Sequence, residues 1–231
     1  MQTGAQSDIG EKLTTNIKDS YRAGAEIQAA VDVTEWLTIE GNIALSVNKI
    51  KDFDEAAEDW DDSYYNYVDY VDGKEVLNEA KLQYAIENYH IDGDFDEHRT
   101  IHYNNSTLAF SPSTIANGFV NFHHKGWQAV WHTGYVSRQY LDNTENSDRS
   151  LPAYSLSNVS LSYTLKPQKV LKEAVFGLNF NNVLNRHCAA NGWVYSAICE
   201  SYDHPDDNRY YQIGFVPMAG FTMMGSVTVR F

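Results

Sequence analysis

Apolar and polar residues alternate with period two over several long stretches, the pattern of a strand with one apolar face. From Tyr21, the positions Ala23, Ala25, Ile27, Ala29, Val31 and Val33 alternate with Arg22, Gly24, Glu26, Gln28 and Asp32. After Thr34-Glu35-Trp36 the pattern resumes, with Leu37, Ile39, Gly41, Ile43, Leu45 and Val47 set against Thr38, Glu40, Asn42, Ser46 and Asn48. Two long amphipathic strands joined by a tight turn are predicted. Further strands are predicted over Ser113–His124 and Trp127–Leu141, joined at Lys125-Gly126. Pro152–Leu165 and Glu173–Val183 form another pair, joined around Lys166-Pro167-Gln168-Lys169. A last strand sets Phe221, Met223, Val227, Val229 and Phe231 opposite Thr222, Ser226, Thr228 and Arg230.

Between these strands lie an acidic, Tyr-rich stretch (51–112), a polar loop (Asp142–Ser150) and a second long loop (about 184–216). Within the first stretch, Val76, Leu77, Ala80 and Tyr84 are spaced for a short helix over Lys74–Tyr89. Connections of such length are usually functional or flexible. Seven strands result, most well beyond the soluble mode of about 5–6 residues, joined alternately by tight turns and longer loops. Transmembrane barrels show that alternation, with short periplasmic turns and longer extracellular loops. The fold class expected is therefore all-β: an antiparallel up-and-down transmembrane β-barrel segment of about seven long strands, with residues 1–231 as one domain.

Composition narrows the class further. Hydrophobic residues make up 43% of the chain, and 16 Tyr, 10 Phe and 5 Trp favour strands and membrane interfaces. Mean hydropathy is −0.46, and no run approaches the roughly 18 apolar residues of a membrane helix. A strand-built span escapes such a test, because its outward apolar residues alternate with polar ones. The net charge of −14 argues against a nucleic-acid partner. Met1-Gln2-Thr3-Gly4 opens no signal peptide. Seven strands cannot close on the even numbers that bacterial barrels use, and an open edge in hydrocarbon costs several kcal/mol per unpaired group. The expectation is a fragment of a larger barrel.

Several segments carry a resemblance. Gly220-Phe-Thr-Met-Met-Gly-Ser-Val-Thr-Val-Arg-Phe231 resembles the C-terminal sorting strand of outer-membrane proteins, with Gly225 one place from the usual glycine position. Phe176-Gly-Leu-Asn-Phe-Asn-Asn-Val-Leu-Asn185 resembles the strand end near the C-terminus of TonB-dependent receptors. Ala190-Asn-Gly-Trp-Val-Tyr195 resembles a loop of Bacteroidetes-type members, and Tyr21-Arg-Ala-Gly-Ala-Glu26, Gly41-Asn42 and Leu151-Pro-Ala-Tyr-Ser155 resemble other barrel strands of the family. The likeness covers nearly the whole chain but maps to about the last third of a receptor.

It implies location in the outer membrane and energy-coupled import of a scarce ligand, such as a ferric siderophore or haem. The implied partners are outer-membrane lipid, the ligand, the TonB complex acting through a plug missing here, and the barrel-assembly machinery. That machinery would read Phe221, Met223, Val227, Val229 and Phe231. Loop aromatics would touch the ligand: Tyr64, Tyr65 and Tyr67 in the acidic stretch, Trp193 and Tyr195 in the second loop. Competing readings are a passive porin or adhesin-type barrel and a soluble β-rich binding module.

The remaining chemistry is sparse. Cys188 and Cys199 are either bonded or free thiols; a loop facing an oxidising exterior favours the disulfide. With His187 and His204 they have zinc-ligand types, but the intervals are wide for a structural site. Asp92-Gly-Asp-Phe-Asp96 begins like a calcium loop, yet has Glu97 where glycine is required and Tyr103 where glutamate is required. His123, His124 and His132 invite a haem reading; for His132 a lumen-lining place is the simpler one. Trp127 and Trp131 suit an aromatic girdle or lipid face. No motif of a nucleophile, phosphate loop or metalloprotease occurs, so no catalytic residue, metal or cofactor is expected.

Overall fold

The computed structural model describes residues 2–6, 12–14, 19–166, 171–201 and 209–231. Ten strands of nine residues or more carry the fold. They are β1 (Ser20–Thr34), β2 (Leu37–Asp59), β3 (His98–Thr107), β4 (Thr114–His124) and β5 (Trp127–Val136). The others are β6 (Tyr154–Leu165), β7 (Glu173–Asn181), β8 (Ala189–Ile198), β9 (Arg209–Pro217) and β10 (Thr222–Arg230). Helix α1 spans Glu79–Asn88. The chain divides into two compact units. A sheet unit comprises Tyr21–Asn48, Thr107–Gly192 and Phe215–Phe231, and a loop unit Met1–Ser20, Lys49–Ser106 and Trp193–Gly214.

In the sheet unit the strands follow the order β1-β2-β4-β5-β6-β7-β10, and every pair with a resolved register is antiparallel. These are the seven strands that the periodicity predicts. Lys125 (φ 47°) and Gly126 (φ 86°) form the two-residue turn between β4 and β5, whose two left-handed residues match the twist of a hairpin. A side chain at Gly126 would stand 2.8 Å from the Thr164 carbonyl oxygen, so the glycine is also needed for close approach.

The registers place side chains on two faces of different character, an apolar one and a more polar one that Phe119, Val130 and Met224 share. Leu37, Ile39, Ile43 and Leu45 of β2 lie opposite Phe122, Val120, Ala116 and Thr114 of β4. Trp131 and Trp127 continue that face on β5, Val159, Leu161 and Tyr163 on β6, Phe176 and Leu178 on β7, and Val227 and Val229 on β10. The other face carries Glu40, Asn42, Asn117, Asn121, His132, Asn158, Ser160, Asn179 and Arg230. On β1, Asp32 accepts a bond from the Thr38 hydroxyl at 2.6 Å. This places Asp32 on the polar face and, by period two, Ile27 and Val31 on the apolar one. The polar face is cross-linked through Asn117 to Asn42 (3.0 Å), Asn121 to Glu40 (2.7 Å) and Ser160 to Asn179 (2.8 Å).

The strand count is a correction. Among the described residues there are fourteen strands of three residues or more rather than seven, and no closed barrel. Strand β2 runs on to Asp59 and β3 follows at 98–107, inside the stretch expected to lack strands. Strands β8 and β9 occupy much of the predicted 184–216 loop. The expected helix begins later: Lys74–Leu77 pairs with Val68–Val71 as a small hairpin, and Asn78 caps α1 by accepting the Lys81 amide at 3.1 Å.

The loop unit is built around the C-terminal part of β2, with which β3 pairs; β8 pairs with it in parallel at Glu58 and Asp59. Its compact core gathers Tyr67, Ala85 and Ile91, with Leu77, Leu82, Ile86, Tyr89 and Phe95 packed against them.

Candidate functional site

The loop unit holds the aromatic residues expected to meet a ligand, and charge pairs fix its frame. Along β2 the buried positions Phe53, Glu55, Ala57 and Asp59 alternate with more exposed ones. Two of the four carry carboxylates, and each meets an arginine. Arg209 is buried and forks onto Glu55 at 3.1 and 2.7 Å, while its Nη2 also donates to the Tyr103 hydroxyl at 3.0 Å. Arg99 donates to Asp59 at 2.7 Å, to Glu200 at 2.5 Å and to the Tyr89 carbonyl at 2.9 Å. Burial pushes the Asp59 carboxyl up from its ordinary value, against the pull of Arg99. Glu200 moves down: burial opposes this, and His90 and Arg99 outweigh it.

Asp61 accepts the Glu200 and Ser201 amides, closing the turn after β8. Asp62 accepts the Gly93 amide at 3.2 Å, and its carboxyl is pushed up to about 6, first by burial and then by its bond with Asp94.

The expected ligand-contacting residues divide on exposure. Tyr65 is 72% exposed and Trp193 53%, both open to a ligand. Tyr64 is half-buried, edge-on to Tyr65 and Phe95. Tyr195 lies half-buried near Trp60, which stacks on Tyr210 with ring centroids 5.0 Å apart. Burial, followed by a bond to Glu58, pushes the Tyr195 phenol up to about 12.

Tyr67 does not belong with them. It is only 6% exposed, its hydroxyl bonds the Asp61 carbonyl, and it forms part of the core. Burial first, then Asp61, pushes its phenol up to about 12. Sequence reasoning missed Trp60 and Tyr210, which supply a stacked, partly exposed aromatic surface beside Tyr195. Their signal was weak because Trp60 follows an acidic run and Tyr210 falls in a segment read as loop. Trp193 lies across Gly214, where any β-carbon would collide with the indole nitrogen.

The cysteine expectation is also corrected: Cys188 and Cys199 are not bonded to each other. The strand Ala189–Ile198 separates them along the chain. Extended backbone, at about 3.3 Å per residue, carries its flanking residues far beyond the roughly 4.4–6.8 Å Cα separation of a disulfide. His204 lies outside the described residues, and no group of three metal-ligating side chains occurs among those described.

In the sheet unit, the barrel-assembly residues fall at the end of the sheet order. Met223, Val227 and Val229 pair with Phe180, Phe176 and Ala174 on the apolar face. Phe221 lies just before β10 and stacks near Phe180 (6.4 Å), while Phe231 follows β10. The family-like segment ending β7 is a hydrogen-bonded knot. Asn182, buried and at φ 49°, accepts the Arg186 amide at 2.8 Å and donates to the Arg186 and Ala219 carbonyls. Asn185 accepts the Phe221 amide at 2.9 Å. On the polar face, His132 stacks on Phe119 at 4.5 Å and contacts Asn117, so it is packed within the sheet.

No family model matches the chain, and no curated protein does. Among solved structures, the siderophore receptor PiuA from Acinetobacter baumannii matches with a TM-score of 0.51 and 13% identity. The match covers 98% of this chain and 24% of the receptor, so the chain spans about a quarter of the length of the structure it resembles. The likeness is one of fold: an all-β chain arranged like part of a siderophore receptor.

Proposed function

We propose that this chain forms part of the wall and outer loops of an outer-membrane β-barrel receptor, which imports a ferric siderophore or a similar scarce ligand. The observation that carries this reading is the two-faced sheet. Phe176, Leu178, Val227 and Trp127 are exposed on one side, and a hydrogen-bonded polar layer lies on the other. An exposed apolar face of this extent is a liability in water and suits hydrocarbon. The fold likeness to a siderophore receptor supports the transport class.

On this reading the polar face lines the lumen, and the exposed Tyr65 and Trp193, with the Trp60–Tyr210 stack, form ligand-contacting surface. Energy for import would come from the TonB complex acting on a plug outside these strands. Uptake of an iron-55-labelled siderophore panel by iron-starved cells tests the proposal. The wild-type strain should take up one member at low concentration, and Tyr65→Ala with Trp193→Ala should reduce its uptake about tenfold at unchanged outer-membrane protein level. Uptake that is the same after deletion of the gene, for every member of the panel, would sink the transport reading.

A further inference from the structure

The strand ends of the sheet unit form a rim with chemistry of its own. A cavity of about 720 Å³ lies where the β1–β2 and β4–β5 turns meet the end of β6. Lys125, Lys166, His123 and His124 line it, with Trp36 and Trp127. Among the described residues Glu35 is the only acidic one in the lining, although the chain as a whole carries a net charge of −14. A cationic pocket in so acidic a protein is not a sample of its average surface.

The pocket is also continuous with the apolar face. Trp127 leans on Tyr163, ring centroids 4.7 Å apart, and Trp36 meets Phe122 edge-on at 5.6 Å. His124 pairs with Trp127 on the apolar face, while His123 pairs with Gln128 on the polar one, so the pocket wraps the end of the sheet. Lys125 holds a left-handed backbone (φ 47°) at a turn position where asparagine or glycine would be at ease.

We propose that this rim pocket binds the anionic headgroup of a membrane phospholipid. Lys125 and Lys166 meet its phosphate, the two imidazoles offer further polar contact, and Trp36 and Trp127 bed the junction between headgroup and acyl chains. Indole rings partition to that depth, and each lysine near an anionic membrane surface strengthens attachment about fivefold. A soluble phosphate would use the cations alone; the adjoining apolar face and the two indoles select a lipid. The inference rests on the membrane reading given above.

The test uses the protein as it occurs in the cell, extracted in neutral detergent and titrated with phosphatidylglycerol. Bound lipid is counted by native mass spectrometry. One phosphatidylglycerol should be retained, with the K125A/K166A pair binding about twenty-five-fold more weakly and K125R/K166R restoring it. Undiminished binding by folded K125A/K166A, equal retention of phosphatidylcholine, or displacement by inorganic phosphate would each overturn the proposal. If the alanine pair loses the heat-modifiable mobility of a folded barrel, K125Q/K166Q takes its place under the same criteria. A protein absent from the outer membrane would defeat the receptor reading and this one together. One that is present, folded and indifferent to both lysines would defeat this one alone.

Discussion

Asn182 shows how much a single side chain can hold. Its backbone sits at positive φ, where asparagine is among the few tolerated residues. Its amide group ties the Arg186 backbone to the Ala219 carbonyl, so the end of β7 and the entry to β10 depend on it. Asn182→Ala removes all three bonds and should cost about 1–2 kcal/mol, read as a lower midpoint in thermal or urea unfolding in detergent. The Arg209–Glu55 fork makes a stronger case. Replacing Arg209 by Met leaves Glu55 charged and buried, a loss of about 3–5 kcal/mol, whereas replacing both partners by apolar residues should recover much of it. Asp62 gives a pH signature instead. Its folded pKa is raised from 3.8 to about 6 by burial and by Asp94. A raised carboxyl pKa favours the fold while the group is protonated, so the contribution is full below the unfolded value and lost as pH rises through the folded one. Amide exchange at Ile91, in the core beside this loop, should therefore quicken between about pH 4 and 6 beyond its intrinsic rise, and Asp62→Asn should remove the excess.

At the scale of the element, what could be read from the sequence depended on what each strand's hidden face carries. Strands β1, β2 up to Asn48, β4, β5, β6, β7 and β10 display one apolar face, and simple alternation reveals them. The C-terminal part of β2 alternates just as strictly, but Glu55 and Asp59 occupy buried positions because Arg209 and Arg99 meet them. A hydropathy pattern scores such carboxylates as exposed, so the strand looked like loop. Strand β8 failed for another reason: Val194, Ala197 and Ile198 are buried at spacings with no period of two. The candidate site shared that fate, since Tyr65 was legible as loop but burial of Tyr67 depends on α1 and Ile91 closing over it. The two-faced strands carry their own prediction. Leu161 and Ser160 are neighbours on β6 with opposite faces. Leu161→Arg should cost about 2–4 kcal/mol if its face meets the bilayer midplane and sharply reduce the heat-modifiable, membrane-assembled fraction. Ser160→Arg should leave that fraction nearly unchanged.

For the molecule as a whole, the decisive features are the two edges of the sheet unit. Every residue of β1 and of β10 is exposed. Among the described residues, β1 pairs only with β2, and β10 only with β7. In water an open edge invites pairing with other chains. In hydrocarbon it is worse, because each unpaired backbone group costs several kcal/mol. A sheet whose apolar face lies in lipid therefore requires that β1 and β10 be covered by further strands. The 231 residues expressed alone and refolded into detergent should consequently give aggregates or edge-paired oligomers rather than a monomer. Size-exclusion chromatography with light scattering makes the check. On the proposed membrane reading, the protein as it occurs in the cell should instead run in detergent as a heat-modifiable monodisperse species. A stable, monomeric isolated chain with slow amide exchange along β1 and β10 would show that the edges need no partner, and would remove the main reason for placing this sheet in a larger barrel.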